Sequence, residues 1–574
     1  MGEKTSPQNL EHIKNLHQQG DIKTAISLYR DFLKQHSHSD QAHFLLGTAL
    51  IQSRQESDAI LHLQKSLDLQ KDNKAAWFNL GLAFQKTANP SKAAQAFDQA
   101  LQLDPHYTEA LCQKGILLST TQNHEQALEY FHKALQAQPK HLKTWTNLGN
   151  CFRSLGEDRK AHAAYTNALE IAPRHIPALH NLAALELDLG NLEAATKLID
   201  TVLQINPNYT PALCQKALVY KEQEQWLKAL AEFEQAERLT PNDKRVSFHK
   251  ALVLFKLNLF KEAQQAYEAR LSLPEYKHLQ HLSQTLWTGE PLNKKALLLL
   301  SEQGVGDEIF FAQTFSKLQQ EVDFLIIEAD ARLKTLFERS FPGTEVVPTN
   351  RPIPEPSQDD TIDFYASSAT ALGPLFFEPK HEALPSYLKA CTKKQNKWRQ
   401  KLSSLSDKKH FIGINWRSFA KSEGLDRSVR NRSSIPLLSW QNILALKDIC
   451  FVDLQYGDTS KERADFTQRT GLDLLHLENI NLKDDLDELA ALIASLDLVI
   501  SINSCNAILS AALGKETWML CHRVHGHDFE PAPNNQNKTA SKWFQSLTLF
   551  HQEQVNSWSE TLERINVELK NKSF

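Results

Sequence analysis

Residues 296–315 read ALLLLSEQGVGDEIFFAQTF. Five apolar residues run toward Gly304-Val305-Gly306-Asp307, and an apolar pattern at helical spacing follows. Two glycines at a strand-to-helix turn remove side chains, so backbone N–H groups and a helix start face outward, an arrangement suited to an anion. Asp307, at the start of that helix, has two chemistries open to it. It can cap the helix, or act as a general base that takes a proton from an acceptor hydroxyl. The loop lacks the third glycine of a dinucleotide fingerprint and the lysine of a P-loop. A second pattern is a row of side-chain amides. Asn79, Gln113, Asn147, Asn181 and Gln215 recur every 34 residues, with His249 next in the series. An amide offers a donor and an acceptor together, so such a row can grip the backbone of an extended peptide whatever its sequence.

The amides need a periodic scaffold, and the chain has one. AAWFNLGLAFQKTANPSKAAQAFDQALQLDP (75–105) and KTWTNLGNCFRSLGEDRKAHAAYTNALEIAP (143–173) align without gaps. Small residues recur at Gly47, Gly81, Gly115, Gly149, Ala183, Ala217 and Ala251, where the first helix of a pair must approach the second. Prolines at 105, 139, 173, 207 and 241 end each unit, because proline cannot continue a helix. A period of 34 reads as tetratricopeptide repeats, about eight of them, in an α-solenoid over residues 1–274. Such an array presents a concave surface to a protein or peptide partner.

The glycine loop needs a different scaffold. Residues 275–295 form a bridge, after which short apolar runs alternate with helical patterns. The sequence predicts strands at 296–302, 322–329, 345–348 and 362–367, then at 410–416, 450–456, 474–478, 497–502 and 516–521. Continuous apolar strands between helices indicate parallel sheets covered on both faces. The expected organisation is one Rossmann-like half over 296–390, a linker at 391–408, a second half over 409–555, and a final amphipathic helix in 556–574 crossing back to the first half. In open α/β sheets ligands bind beyond the carboxyl ends of the strands. The glycine loop lies at such an end.

Composition narrows the classes. The chain has 574 residues, a net charge of −4, 41 % hydrophobic and 23 % charged residues. Nothing in that balance supplies the concentrated positive charge of a nucleic-acid binder. The seven cysteines include no Cys-x-x-Cys pair, which fits a reducing, cytoplasmic setting and argues against a thiolate metal site. No apolar run has the length of a transmembrane helix.

The second half resembles a GT-B glycosyltransferase of the heptosyltransferase-like kind, placed behind repeats. The residues that carry the likeness are LWTGEPL (286–292), EQGVGDEIFFA (302–312), RSFPGTEVV (339–347), GINWRS (413–418), RNRSSIPL (430–437), FVDLQYGD (451–458) and DLDELAALIASLDLVISINSCNAILSAALGK (485–515). KWFQSLTLF (542–550) fits as well. The amide row is similar to the asparagine ladder inside the repeats of eukaryotic protein O-GlcNAc transferase. The resemblance implies inverting transfer of a sugar from a nucleotide-diphosphate donor, with no metal and no cofactor, to a protein or peptide acceptor recruited by the repeats. It implies Asp307 as base. Gly304, Gly306, Arg417, Ser418, Lys421, Arg430, Arg432, Ser501, Asn503, Ser504 and Asn506 are the implied holders of the donor diphosphate. Gln455 and Asp458, at a strand end, are placed to meet ribose or base. The sequence departs from the relatives at one point: the acid and histidine positions of the donor helix hold Asn503 and Ile508. Isoleucine cannot hydrogen-bond a phosphate, and His522, in CHRVHGHDF (521–529), is a candidate to compensate. The segment after it also lacks the tryptophans common in relatives. A non-catalytic scaffold with a degenerate transferase-like half is therefore the alternative reading, and a glycan or lipid-carrier acceptor is a third.

Overall fold

A computed structural model describes residues 10–273, 285–302, 304–349, 362–376, 382–417, 434–478, 480–522, 530, 536–553 and 557–574. Sixteen helices in eight antiparallel pairs run from Leu10–Gln18 to Phe260–Tyr267. The periodic small residues do what their spacing requires. A Cβ on Gly81, Gly115 or Gly149 would lie 2.4–2.6 Å from a ring carbon of Phe97, Phe131 or Tyr165, so the two helices of each pair meet at a distance that only glycine permits. Each proline falls two residues beyond a helix end, as after Leu103 and Ile171. The turn inside each pair adds a feature the spacing did not announce. Gly20, Arg54, Ala88, Gln122, Gly156, Gly190, Glu224 and Asn258, again 34 apart, all adopt positive φ between 56° and 90°. Glycine suits that conformation, yet five of the eight carry side chains there.

The described chain forms two compact units, one made of the helices up to Pro207 and one running from Asn208 to the end, with Asp188–Leu192 grouped into the second. The seventh and eighth pairs thus belong with the α/β region rather than with the earlier repeats. The reason is a shared core. Ala251, Leu254, Phe255, Ala263 and Tyr267 of the eighth pair join one apolar cluster with Leu297, Leu299, Phe310 and Phe315, and with Leu489, Leu492, Val499, Leu509 and Met519.

Eleven described strands form two sheets. The first has the order β1-β5-β2-β3-β4, from β1 (Thr285–Leu286), β2 (Ala296–Leu300), β3 (Phe324–Ala329), β4 (Glu345–Pro348) and β5 (Phe364–Ser367), all parallel. The second has the order β10-β11-β9-β8-β6-β7, from β6 (His410–Asn415), β7 (Ile449–Asp453), β8 (Leu498–Ile502), β9 (Thr517–Cys521), β10 (Lys538–Ala540) and β11 (Leu547–His551). Its pairs are parallel except for β10 with β11. Every residue of β2, β8 and β9 is buried, as strands covered on both faces must be. Each sheet reverses its strand order once, between β2 and β5 and between β6 and β8. Such reversals are where doubly wound sheets open a crevice.

Two expectations change. The run 474–478 contributes a single bridge, Val452 to Leu475, rather than a strand. The final helix, Ser559–Asn571, does not cross back. Its Leu562, Ile565 and Leu569 pack with Ile412, Ile500 and Trp518 of the second sheet and with Trp440 of the 3-10 turn Leu437–Trp440, covering an apolar face that would otherwise be bare.

Candidate functional site

The glycine loop follows β2, at the reversal point of the first sheet. Gly304 is extended (φ −101°, ψ 166°) and caps the helix Val305–Phe311. Asp307 Oδ2 accepts from the Gly304 N–H at 3.2 Å, so the capping chemistry is present. Gly306 serves a contact between the lobes: a Cβ there would stand 3.4 Å from Cys505 Cα. Cys505 opens the helix Cys505–Ala512, with Ser504 as its N-cap residue, at the reversal point of the second sheet. The starts of the two helices therefore abut, with Asp307 beside the junction. Its charge reaches the second lobe. Burial above all, and then Asp307, Asp330 and Glu308 against the opposing Arg332, push the Cys505 thiol up to about 12. That shift keeps the Cys505 thiol in its neutral form.

Glu308, next to Asp307, turns away from the junction. It is buried, accepts from Ser301 Oγ (2.7 Å) and from the Asp330 N–H (2.8 Å), and so ties the ends of β2 and β3 together. Burial, with Asp330 and Glu328 nearby, pushes its carboxyl up to about 7 despite those two hydrogen bonds.

In the second lobe, Asn415 ends β6 and pairs in register with Ser501 of β8. Its side chain is fully buried, and neither Oδ1 nor Nδ2 has a partner among the described residues. A buried amide without partners is costly, so Asn415 is a strained polar point at the end of β6. Sequence reasoning passed over Asn415, although an asparagine closing the apolar run FIGIN was a legible signal. Ser501 Oγ donates to the Ile502 carbonyl (2.8 Å) and shares a hydrogen bond with Ser504 Oγ (2.9 Å). Asn503 is half-buried at the same turn.

Other candidates are occupied with scaffolding. Asn506 is buried and donates to the Leu454 carbonyl at 2.8 Å, tying its helix to the chain after β7. Gln455 Oε1 accepts from the Trp416 and Arg417 N–H groups (3.2 and 3.0 Å), and its Nε2 donates to the Arg417 carbonyl (2.9 Å). Its amide shapes the loop after β6 rather than facing a ligand. Asp458 accepts from the Ser460 N–H (2.9 Å) and hydroxyl (2.6 Å) at a helix start. Arg417 donates to the Asp458 carbonyl (2.9 Å) and lies 3.1 Å from Glu462, so its charge is already answered. Asp453, nearly inaccessible at the end of β7, is met by His476 Nδ1 at 2.9 Å and Arg463 at 3.5 Å. Its carboxyl is nevertheless raised by burial. Ile508 belongs to the core, and His522 is buried at the end of β9. Ser418, Lys421, Arg430 and Arg432 lie outside the described residues, as do the histidines at 525 and 527. Among the described residues no group of three or more His, Cys, Asp or Glu side chains is placed to hold a metal ion.

The amide row is partly committed. Asn79 donates to Thr48 Oγ1 (2.9 Å), Asn147 to the Lys143 carbonyl (2.8 Å) and Asn181 to Asn150 Oδ1 (2.8 Å). Each of these three spends one N–H inside the array. Gln113 is half-buried, and Gln215 is buried.

Comparison with known proteins agrees with the first half. Tetratricopeptide-repeat family patterns match residues 16–83, 75–107, 107–174, 159–215 and 214–272. The N-terminal part of the chain, some 270 residues, is thus a tetratricopeptide-repeat array, a class associated with protein–protein interaction. Over 366 residues the chain is 30 % identical to Protein FlbA of Caulobacter vibrioides, an alignment covering 60 % of this chain. It spans 58 % of that relative's length. Among solved structures it is similar to a tetratricopeptide repeat protein from Parabacteroides merdae (17 % identity, TM-score 0.38, 43 % of this chain and 97 % of that one). It is also similar to pilF of Pseudomonas aeruginosa (20 % identity, TM-score 0.33, 37 % and 96 %). No helix among the described residues is long and apolar enough to cross a membrane.

Proposed function

We propose that the α/β half is an inverting, metal-independent glycosyltransferase of GT-B type and that the repeats recruit its protein or peptide acceptor. The observation that carries this reading is the junction of the helix starts at Gly306 and Cys505, with Asp307 on one side and the unpartnered amide of Asn415 in the strand layer of the other. In the proposed reaction Asp307 takes the proton of an acceptor hydroxyl. The acceptor oxygen bonds to the anomeric carbon of the donor, and the bond from that carbon to the diphosphate oxygen breaks. The nucleoside diphosphate leaves with its negative charge held by the Cys505–Ala512 helix start and neighbouring cations. The side-chain oxygens of Asn79, Asn147 and Asn181 would accept from acceptor-peptide N–H groups.

A second reading is favoured by specific contacts. Arg417 is paired with Glu462, Gln455 is fully used, and Ile508 is a core residue. A half whose donor residues have become scaffolding would act as a docking module without turnover. Thermal unfolding with UDP, GDP, ADP and dTDP separates the two. A nucleoside diphosphate that binds the folded state at a hundred times its Kd stabilises it by about 2.7 kcal/mol. A transferase gains that stability with at least one of them, and Asp307→Asn then lowers turnover of its sugar conjugate by about two to four orders of magnitude. No shift with any of the four leaves the scaffold reading.

A further inference from the structure

The eighth repeat is not a free solenoid end. Arg270, just after its second helix, is fully buried. Its guanidinium donates to both oxygens of Glu302, each at 2.8 Å, and to Ser367 Oγ (2.8 Å) and Thr370 Oγ1 (3.2 Å). Glu302 lies two residues before Gly304, and its Oε1 also accepts from the Ala369 N–H (3.0 Å). One repeat residue thus clamps the ends of β2 and β5, the two strands at the reversal point of the first lobe. The packing beside it is equally close. A Cβ on Gly373 would sit 2.5 Å from Gln264 Cγ of the repeat.

The same repeat grips the second lobe. Phe260 stands edge-on to Trp543, with ring centroids 6.1 Å apart. Lys542 Nζ lies 3.9 Å from the Phe260 ring and donates to Asn258 Oδ1 at 2.7 Å. Lys256 donates to the Glu530 carbonyl at 3.0 Å. The remaining face of the repeat is open. A groove of about 690 Å³ lies along the seventh and eighth pairs, and Glu268 is part of its wall. Glu268 also belongs to the buried network: it accepts from Arg270 Nη1 (3.1 Å) and from Thr370 Oγ1 (2.8 Å).

We infer that the eighth repeat is a brace across both lobes, and that Glu268–Arg270–Glu302 links the groove of the repeats to the glycine loop. The loop carrying Asp307 then holds its shape only while Arg270 is seated. This inference goes beyond the transferase reading and stands or falls without any nucleotide.

Hydrogen exchange on the full chain tests it. Arg270→Lys keeps the charge but loses the planar fork. It should raise exchange of the 304–311 amides at least tenfold while leaving the helices before Pro207 unchanged. Glu268→Gln and the Ser367→Ala/Thr370→Ala pair, which leave the Arg270–Glu302 pair in place, should do the same to a smaller degree. Phe260→Ala should instead raise exchange over 538–551. Wild-type rates at 304–311 in Arg270→Lys would overturn the brace. If Arg270→Lys unfolds the chain as a whole, the Ser367→Ala/Thr370→Ala pair decides: a rise confined to the loop supports the link, and unchanged loop rates overturn it.

Discussion

Asn415→Leu tests the candidate site through its cost to the empty protein. The side chain is fully buried at the end of β6, and both amide atoms lack partners among the described residues. A buried polar group left without a hydrogen bond costs about 1–3 kcal/mol. Leucine has the branching of asparagine and no polar atom but is bulkier, so relief of the penalty, less the cost of fitting the larger side chain, should stabilise the ligand-free protein by up to about 2 kcal/mol. That corresponds to a rise in Tm of roughly 4 °C for a sizeable domain. Most core substitutions destabilise, so the sign alone is informative. On the proposed transferase reading, the same substitution should also abolish the thermal shift that a nucleoside diphosphate gives the wild type. Differential scanning calorimetry with and without that nucleotide reads both arms. A lower Tm for ligand-free Asn415→Leu would show that the penalty on the amide is smaller than the cost of fitting leucine. A raised Tm with an undiminished nucleotide shift would show that the amide faces no ligand. The first result refutes the stability argument, and the second breaks the link between the orphaned amide and the site.

Two further outcomes follow from other features. The Glu308 carboxyl is raised from 4.5 to about 7 in the folded state, so folding favours its protonated form. Its contribution is therefore complete below pH 4.5 and is lost as pH rises through 7, amounting to about 3 kcal/mol. Denaturant titrations of Glu308→Gln should show a flatter decline in stability between pH 4.5 and 7 than wild type, and parallel curves would contradict the assignment. Ala88 holds a left-handed conformation (φ 56°) in the turn of the third pair. Ala88→Gly should raise stability by about 1 kcal/mol, seen as a higher denaturation midpoint, because an L side chain is strained there.

The repeats were legible because a period of 34 writes the same packing problem eight times. Gly81, Gly115 and Gly149 each answer it against a ring. The left-handed turns were harder to see, since only Gly20, Gly156 and Gly190 advertise them while Arg54, Ala88, Gln122, Glu224 and Asn258 bear the strain silently. The alternation of strands and helices showed the parallel strands of two sheets, because burial on both faces forces runs such as ALLLL and LVISI. β1, β10 and β11 were missed, being short or less uniformly apolar at the sheet margins. The final helix was misassigned because amphipathicity says that a helix covers something but not which sheet. In the site, residue type pointed to Arg417, Gln455, Asp458 and Asn506, yet hydrogen-bonding partners decide what a polar side chain does. Those partners come from segments dozens of residues away, such as Gln455 with Arg417 and Asn506 with Leu454. Arg270 was invisible for the same reason: Glu302 meets it from across the repeat boundary.

The apolar cluster that the eighth pair shares with both sheets changes where this chain can be divided. A motif-minded cut near residue 274 falls beside a wall formed by Leu254, Phe255 and Tyr267. A fragment beginning at the bridge would carry an oily scar and a Glu302 carboxylate stranded in it. Loss of one member of a buried ion pair costs about 3–5 kcal/mol. Anyone wishing to study the α/β half by itself should keep the last two helical hairpins attached, starting near Asn208, and regard them as its foundation.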